Sequence, residues 1–196
     1  HLLASGIDVL PLSSNDVDLV SPTAVTFLSE ILDSRDSLLF VSAKAPVKNN
    51  KMLIDNLEMA TTVCEALYRT SIAHLVYISS DAVYADSEDS LTEKSIRGPD
   101  SLHGVMHLAR EIMLTQAVAT PTCILRPTLI YGPSDPHNGY GPNRFIRQAL
   151  AGENICLFGK GEEQRDHVWI EDVASTIAHV LLHKSVGYLN VCSGTT

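Results

Sequence analysis

The feature that most constrains the fold is a series of short, continuous apolar runs that alternate with stretches of helical period. Such runs predict strands buried on both faces, and apolar residues recurring every three or four positions predict helices. Strands that alternate with helices form a parallel sheet covered on both faces, so we predict an α/β fold with a doubly wound parallel sheet. The predicted strands or extended segments are 7–12, 37–43, 74–80, 123–131, 155–158, 166–170 and a strand from 188, and the predicted helices are 23–33, 52–69, 102–118, 144–151 and 171–183.

The chain changes character after Pro133, where glycine and proline become dense. We expect residues 1–133 to form the main sheet domain and residues 134–196 a smaller region interleaved with the last sheet elements. Residues 1–6 are typical of the last turn of a helix with a glycine cap, and 188–194 of a strand running into a turn. We therefore expect a fragment that is incomplete at both ends.

Charge and cysteine usage exclude several classes of protein. The formal net charge is −9 and the 14 lysines and arginines are scattered, which argues against a nucleic-acid surface. No apolar run reaches the length of a membrane span, and no signal-like segment opens the chain. The cysteines are widely spaced with no C-x-x-C pair, which favours reduced core thiols in a cytoplasmic protein; they are Cys64, Cys123, Cys156 and Cys192.

Four segments resemble the NAD-dependent epimerase/dehydratases, the extended short-chain dehydrogenase/reductase family, in the order that the family has them. They are 75–84, 125–133, 144–152 and 164–174. The resemblance implies a Rossmann-type fold and a dinucleotide-binding domain over 1–133. It also implies an oxidoreductase or epimerase that uses NAD or NADP on a nucleotide sugar or a similar carbonyl or hydroxyl substrate.

The resemblance also indicates an altered catalytic pair. In this family a Ser or Thr after the strand binds the substrate hydroxyl, and Ser80 matches it. A Tyr acts as acid and base, and a Lys four residues later holds the nicotinamide ribose. His103 and His107 stand at these two positions, on one face of the predicted helix. A histidine titrates near 6.5, so His103 can serve as a general base unaided, and His107 can donate a hydrogen bond to a ribose hydroxyl.

Three interpretations of this pair stay open. The site works in altered form, or it binds a dinucleotide as a sensor without transferring hydride. In the third, two histidines four residues apart on a helix chelate zinc. We favour the first slightly and predict no metal, because no third ligand is identifiable.

The resemblance implies further cofactor contacts. Asp18 and Leu19 flank the adenine, with a solvated turn as the alternative for Asp18. The run Ser42, Ala43 and Lys44 passes under the cofactor, and Pro127 and Thr128 approach the nicotinamide. The Gly-rich phosphate loop and the first strand belong upstream of His1. Residues 12–15 supply neither the Asp nor the Arg that reads the ribose, so NAD and NADP stay undecided.

Candidates on the substrate side are Asp81, Asn143, Arg144 and Arg165. Arg165 matches an arginine that binds pyrophosphate, a group that a guanidinium suits, with an ion pair to Glu162 or Asp166 as the alternative. Asp81 matches the acid of the sugar dehydratases, but Ala82 replaces its partner Glu, so a turn-capping role is favoured. The loop 135–142, with His137, is expected to close over the substrate.

By analogy with the family, the helices 52–69 and 102–118 are candidates for a homodimer interface.

Overall fold

The structure is a computed structural model, and it describes residues 2–87, 89–117, 119–133, 135, 141–157, 159–162 and 164–195. Its centre is a four-stranded parallel sheet in the order β1-β2-β3-β6, beside a two-stranded parallel sheet of β4 and β5. The strands are β1 Ser37–Phe40, β2 His74–Ile78, β3 Thr122–Pro127, β4 Leu129–Tyr131, β5 His167–Trp169 and β6 Gly187–Val191. The helices are α1 Ala24–Ile31, α2 Asn50–Arg69, α3 Leu102–Ala117, α4 Pro142–Ala151 and α5 Ile170–His183.

Each face of the main sheet has its own hydrophobic core. Leu75 and Tyr77 of β2 pack with the helices α1, α2 and α3 on one face. Val76, between them in sequence, packs with α5 on the other face. Because successive side chains of a strand point to opposite faces, strands covered by helices on both sides are apolar at every position. The predicted doubly wound architecture is confirmed.

Polar caps fix the start of the two helices that border the site. The side chain of Asn49 accepts a hydrogen bond from the backbone N–H of Met52 at 3.0 Å, where α2 begins. The hydroxyl of Ser101 accepts from the N–H of Gly104 at 3.1 Å, where α3 begins. Both bonds satisfy N–H groups that have no partner within the helix. None of the helices in the described ranges is both long enough and apolar enough to cross a membrane.

The strand predicted over 7–12 is not formed. This segment has no strand hydrogen bonds, and Leu10 and Leu12 are exposed. A cleft of about 910 Å³ separates it from the free edge of β1. A strand requires a neighbour that completes its backbone hydrogen bonds, and no described residue fills that position.

The strand predicted over 123–131 is two strands. It breaks at Thr128, whose backbone N–H donates to the carbonyl of Val191 at 3.0 Å. Beyond this residue β4 leaves the main sheet and pairs with β5. A single apolar run therefore joins two sheets, and apolarity alone does not reveal such a change of partner.

Two smaller expectations also need correction. Residues 155–157 are not a strand, and Phe158 lies outside the described residues. All four cysteines are free, but only Cys64 and Cys123 are buried, whereas Cys156 and Cys192 are exposed.

Candidate active site

Ser80 follows the carboxyl end of β2 and shapes the start of the site. Its extended backbone leads into a short 3-10 turn, Asp81–Val83. The Ser80 hydroxyl accepts from the N–H of Ala82 at 3.1 Å and donates to the carboxylate of Asp81 at 3.1 Å. Ser80 thus caps this turn while its side chain stays partly accessible.

Gly104 brings the first turn of α3 against this 3-10 turn. A Cβ atom at Gly104 would lie 2.0 Å from the carbonyl oxygen of Ala82 and 2.6 Å from the Cβ of Pro99. Only glycine permits this approach, because backbone atoms cannot move aside as a flexible side chain can. The contact places His103 beside the turn that begins at Ser80.

His107 is buried at the back of the site, with 6% of its surface exposed. Its Nδ1 lies 2.7 Å from the hydroxyl of Tyr77 on β2. Burial, together with the charges of His103 and Arg110, lowers the pKa of His107 to about 3. His107 is therefore neutral at physiological pH and cannot replace the positive charge of a lysine.

His103 is half-buried, and its ring meets that of His107 edge to face with 4.7 Å between the ring centres. Its Nδ1 is buried, and no described residue forms a hydrogen bond with it. Burial lowers the pKa of His103, so the ring is a neutral base at pH 7. Among the residues that the structure describes, no three His, Cys, Asp or Glu side chains come together as a metal site around this pair.

Two buried polar residues hold the loop 42–44, which follows β1. The side-chain amide of Asn56 accepts from the backbone N–H of Lys44 and donates to its carbonyl, each at 3.0 Å. Arg110, fully buried on α3, donates to the carbonyl oxygens of Ser42 and Asn56, each at 2.8 Å. The Lys44 ammonium is paired with Asp55 at 2.7 Å. The loop expected under the cofactor is thus fixed to α2 and to the helix that carries the histidines.

A buried ion pair anchors α3 to the sheet. Glu111 accepts two hydrogen bonds from Arg126 on β3, at 2.7 and 2.9 Å, and one from the hydroxyl of Ser79 at 2.6 Å. Arg126 also donates to the hydroxyl of Tyr84 at 2.8 Å. Burial alone would lower the pKa of Arg126, but the bonds to Glu111 and Tyr84 outweigh it and raise that pKa.

The substrate-side candidates fall into two groups. Burial raises the pKa of the Asp81 carboxyl, while its bond with Ser80 and the charge of Arg165 oppose that shift. The charge of Arg165 is therefore felt at the Asp81 carboxyl, which is bonded to Ser80. Asn143 lies in the first turn of α4 beside Arg144, and its side chain donates to the carboxylate of Asp135 at 2.9 Å.

The remaining candidates lie on elements around the site. Thr128 donates to Asp166 at 2.8 Å, directly after Pro127 at the end of β3. Leu19 packs against the α1–α2–α3 core, and its carbonyl accepts from Thr62 at 2.8 Å. Asp18 is exposed and caps the N–H of Val20. The closing loop expected at 135–142, His137 included, lies largely outside the described residues.

Asn56, Arg110 and Tyr77 were missed by the sequence reasoning. The sequence does contain a signal for Asn56 and Arg110, because each interrupts an apolar stripe on its helix. Asn56 lies four residues from Met52 and Ala60. Arg110 lies four residues from Met106 and Leu114. A polar residue on a buried stripe has to find a partner inside the protein.

A comparison with family models matches residues 38–192 to the NAD dependent epimerase/dehydratase family. The chain belongs to this family. The match covers most of the chain, so the resemblance in its four segments is confirmed.

Curated relatives of the epimerase/dehydratase family also match the chain, at low sequence identity. The uncharacterized UDP-glucose epimerase YtcB of Bacillus subtilis (strain 168) is 27% identical over 164 residues, which is 79% of this chain and 51% of that protein.

Another relative has a different described activity. The 2-alkyl-3-oxoalkanoate reductase of Shewanella oneidensis is 28% identical over 193 residues, 91% of this chain and 46% of that protein. The chain thus spans about half the length of these curated relatives.

Solved structures of the epimerase/dehydratase type share the fold. MoeE5 in complex with UDP-glucuronic acid and NAD superposes with a TM-score of 0.82 at 24% identity, covering 99% of this chain and 71% of that one. The UDP-N-acetylglucosamine 4-epimerase from Bacillus cereus gives a TM-score of 0.79 at 24% identity, covering 98% and 71%. The Rossmann-type fold predicted from the sequence is confirmed.

Proposed function

We propose that the protein is an NAD(P)-dependent epimerase or reductase that acts on a nucleotide sugar or a similar carbonyl or hydroxyl compound. The observation that carries the proposal is the approach of His103 to the Ser80–Asp81 turn, secured by Gly104 at the carboxyl end of β2. Ligands of open parallel sheets bind at this edge. A neutral, half-buried imidazole beside a hydroxyl and a partly buried carboxyl suits proton transfer there.

In this proposal Ser80 orients the substrate hydroxyl, and His103 accepts its proton during oxidation and returns it during reduction. Nδ1 of His103 is buried, which leaves Nε2 for the substrate. The charge on Arg165 suits the pyrophosphate of a sugar nucleotide, with Asp81, Asn143 and Arg144 on the same side.

The residues present fit a dinucleotide, because loop 42–44 has its backbone fixed at the carboxyl end of β1 and His107 lies next to His103. Ser42, Ala43 and Lys44 would pass beneath it, His107 would meet the ribose, and Pro127 and Thr128 the nicotinamide. Asp18 and Leu19 would flank the adenine. When bound, NAD or NADP supplies a hydride acceptor. Solved relatives of this fold contain NAD.

The test is turnover by the full-length protein on a panel of sugar nucleotides and 3-oxoacyl compounds with NAD(H) or NADP(H). Replacing His103 by Ala removes the proton acceptor, so we expect kcat to fall roughly 10²- to 10⁴-fold while cofactor affinity is kept. The matched control is His183→Ala, which removes an exposed histidine on α5. Equal turnover in His103→Ala and wild type would remove His103 from the mechanism.

One observation favours a second candidate, a dinucleotide-binding sensor without hydride transfer. His107 is neutral, so the charge that a lysine would bring to the ribose and to the proton acceptor is missing. This candidate predicts tight binding of NAD(P)H with no turnover on any substrate. It also predicts that His103→Tyr combined with His107→Lys creates activity.

We further propose that residues 1–133 form the dinucleotide-binding domain and 134–196 a substrate-side region. The return of β6 to the main sheet supports an interleaved division. A homodimer through α2 and α3 is supported by the apolar residues that they leave exposed. The four free cysteines are compatible with a cytoplasmic location.

A further inference from the structure

Tyr77 is a buried residue whose polar group reaches the back of the candidate site. It lies in β2, three residues before Ser80, and none of its surface is exposed. Its hydroxyl lies 2.7 Å from Nδ1 of His107. No hydrogen bond to a described residue engages the other ring nitrogen of His107, Nε2.

The chemistry of the two groups sets the direction of this bond. Burial raises the pKa of the Tyr77 hydroxyl, so the phenol keeps its proton. His107 is neutral and carries one ring proton, on either Nδ1 or Nε2. If that proton were on Nδ1, the Tyr77 oxygen would accept it and the phenol proton would need another acceptor.

Arg110 cannot be that acceptor. Its guanidinium lies over the ring of Tyr77, 5.9 Å from the ring centre, and a guanidinium can only donate. Apart from Nδ1 of His107, no described residue is within hydrogen-bond reach to accept from the Tyr77 hydroxyl, so the phenol proton is directed to that nitrogen. The ring proton of His107 then lies on Nε2.

We propose that Tyr77 is a positioning residue that fixes His107 in the Nε2–H tautomer, so that the ring presents a hydrogen-bond donor to the ligand. A carboxylate in the place of Tyr77 would accept from Nδ1–H and leave Nε2 as an acceptor, the opposite arrangement. His107 thereby offers a hydrogen-bond donor to a ribose hydroxyl, as a lysine would, but without the positive charge of a lysine. The role of this donor in binding rests on the proposed function, whereas the tautomer does not.

The first test is nitrogen-15 NMR of the full-length protein without ligand at neutral pH. We expect His107 to show a protonated Nε2 and an Nδ1 that has no directly bonded proton. In Tyr77→Phe, which removes only the hydroxyl, the two tautomers should become mixed. Tyr68→Phe removes the same group from an 86% exposed residue on α2 and should leave the spectrum of His107 unchanged.

A protonated Nδ1 in the wild-type protein would overturn the inference, even if Tyr77→Phe failed to fold. This measurement needs no cofactor, so it separates the inference from the proposed function.

The second test is the affinity for NAD(P)H, followed by cofactor fluorescence. An oriented donor contributes as an ordinary hydrogen bond does, so we expect Tyr77→Phe to raise Kd about 5-fold, and Tyr68→Phe to leave it unchanged. A changed tautomer with an unchanged Kd would overturn the positioning role. Absence of dinucleotide binding in the wild type, with the expected tautomer, would contradict the proposed function and the binding role of the donor, and leave the Tyr77–His107 assignment standing.

Discussion

His107 lies between Tyr77 on β2 and His103 one turn earlier on α3, and Arg110 follows one turn later. These neighbours favour the neutral imidazole: burial among them removes water, and the charge of Arg110, joined by that of His103 once His103 is protonated, opposes a proton on His107. The side chain therefore stays uncharged where a lysine would be a cation. At this position the packing around the side chain decides its charge as much as the residue type does.

The depressed pKa of His107 predicts a dependence of stability on pH. The unfolded chain takes up a proton at this residue near pH 6.5, whereas the folded protein does so only at about 3. The stability that neutral His107 contributes is complete above pH 6.5 and is lost as the pH falls towards 3, at roughly 1.4 kcal/mol per pH unit. The glutamine in His107→Gln cannot titrate. Between pH 7 and pH 5, the free energy of unfolding should therefore fall by about 2 kcal/mol less in His107→Gln than in the wild type.

The measurement is urea unfolding of both proteins at the two pH values. His183→Gln, on the exposed face of α5, is the control and should follow the wild type. Parallel pH profiles for His107→Gln and wild type would show that His107 takes up its proton at the same pH in the folded and unfolded states.

At the scale of elements, the site depends on how closely α3 approaches the 3-10 turn after β2. Gly104→Ala places a methyl group 2.0 Å from the carbonyl oxygen of Ala82, so the helix or the turn has to move. We expect a loss of about 3 kcal/mol or more in the free energy of unfolding, together with a loss of turnover. Gly98→Ala is the matched control, because its new Cβ meets only Ala85, at 3.3 Å from that residue's Cβ and 3.9 Å from its Cα. Equal stability of the two variants, measured by thermal and urea unfolding, would contradict the close approach.

The ion pair of Glu111 and Arg126 is the second link between α3 and the sheet. Both side chains are buried, with 0% and 1% of their surfaces exposed. Glu111→Gln leaves the Arg126 charge without its carboxylate, and we expect a cost of about 3–5 kcal/mol. Adding Arg126→Met should restore part of it, because no unpaired charge then remains buried. Urea unfolding of the wild type, both single variants and the double variant tests this; additive costs would mean that the two residues are not coupled.

For the whole molecule, both α2 and α3 leave apolar residues exposed. The exposed fractions are 50% for Ile54, 86% for Tyr68, 40% for Val105 and 51% for Ile112. If a second copy covers this surface, Ile54→Glu with Ile112→Glu should halve the mass that light scattering measures for the full-length protein. Leu150→Glu, on α4, is the control and should keep the wild-type mass. A monomeric wild type, or a double variant that remains dimeric, would reject this interface.

Much of this architecture could be predicted from apolar runs, because strands buried on both faces and helices with one apolar face leave clear patterns. The segment 7–12 has such a pattern but no neighbouring strand in the described residues. Whether it forms a strand therefore depends on a partner strand and not on its own residues. The break at Thr128 likewise depends on β5 and β6. Ser80 and the histidine pair were accessible through the resemblance, whereas the bond of Tyr77 to His107 joins residues 30 positions apart and has no local signal.

Arg110 of α3 donates hydrogen bonds to the carbonyl oxygens of Ser42 and Asn56, and so links α3 to loop 42–44 and to α2. Because the buried guanidinium of Arg110 joins α3 to loop 42–44, and Asn56 binds both the N–H and the carbonyl of Lys44, a shift of one element without the other would break these bonds. A displacement of α3 at this point would therefore either break the two Arg110 bonds or carry loop 42–44 with the helix.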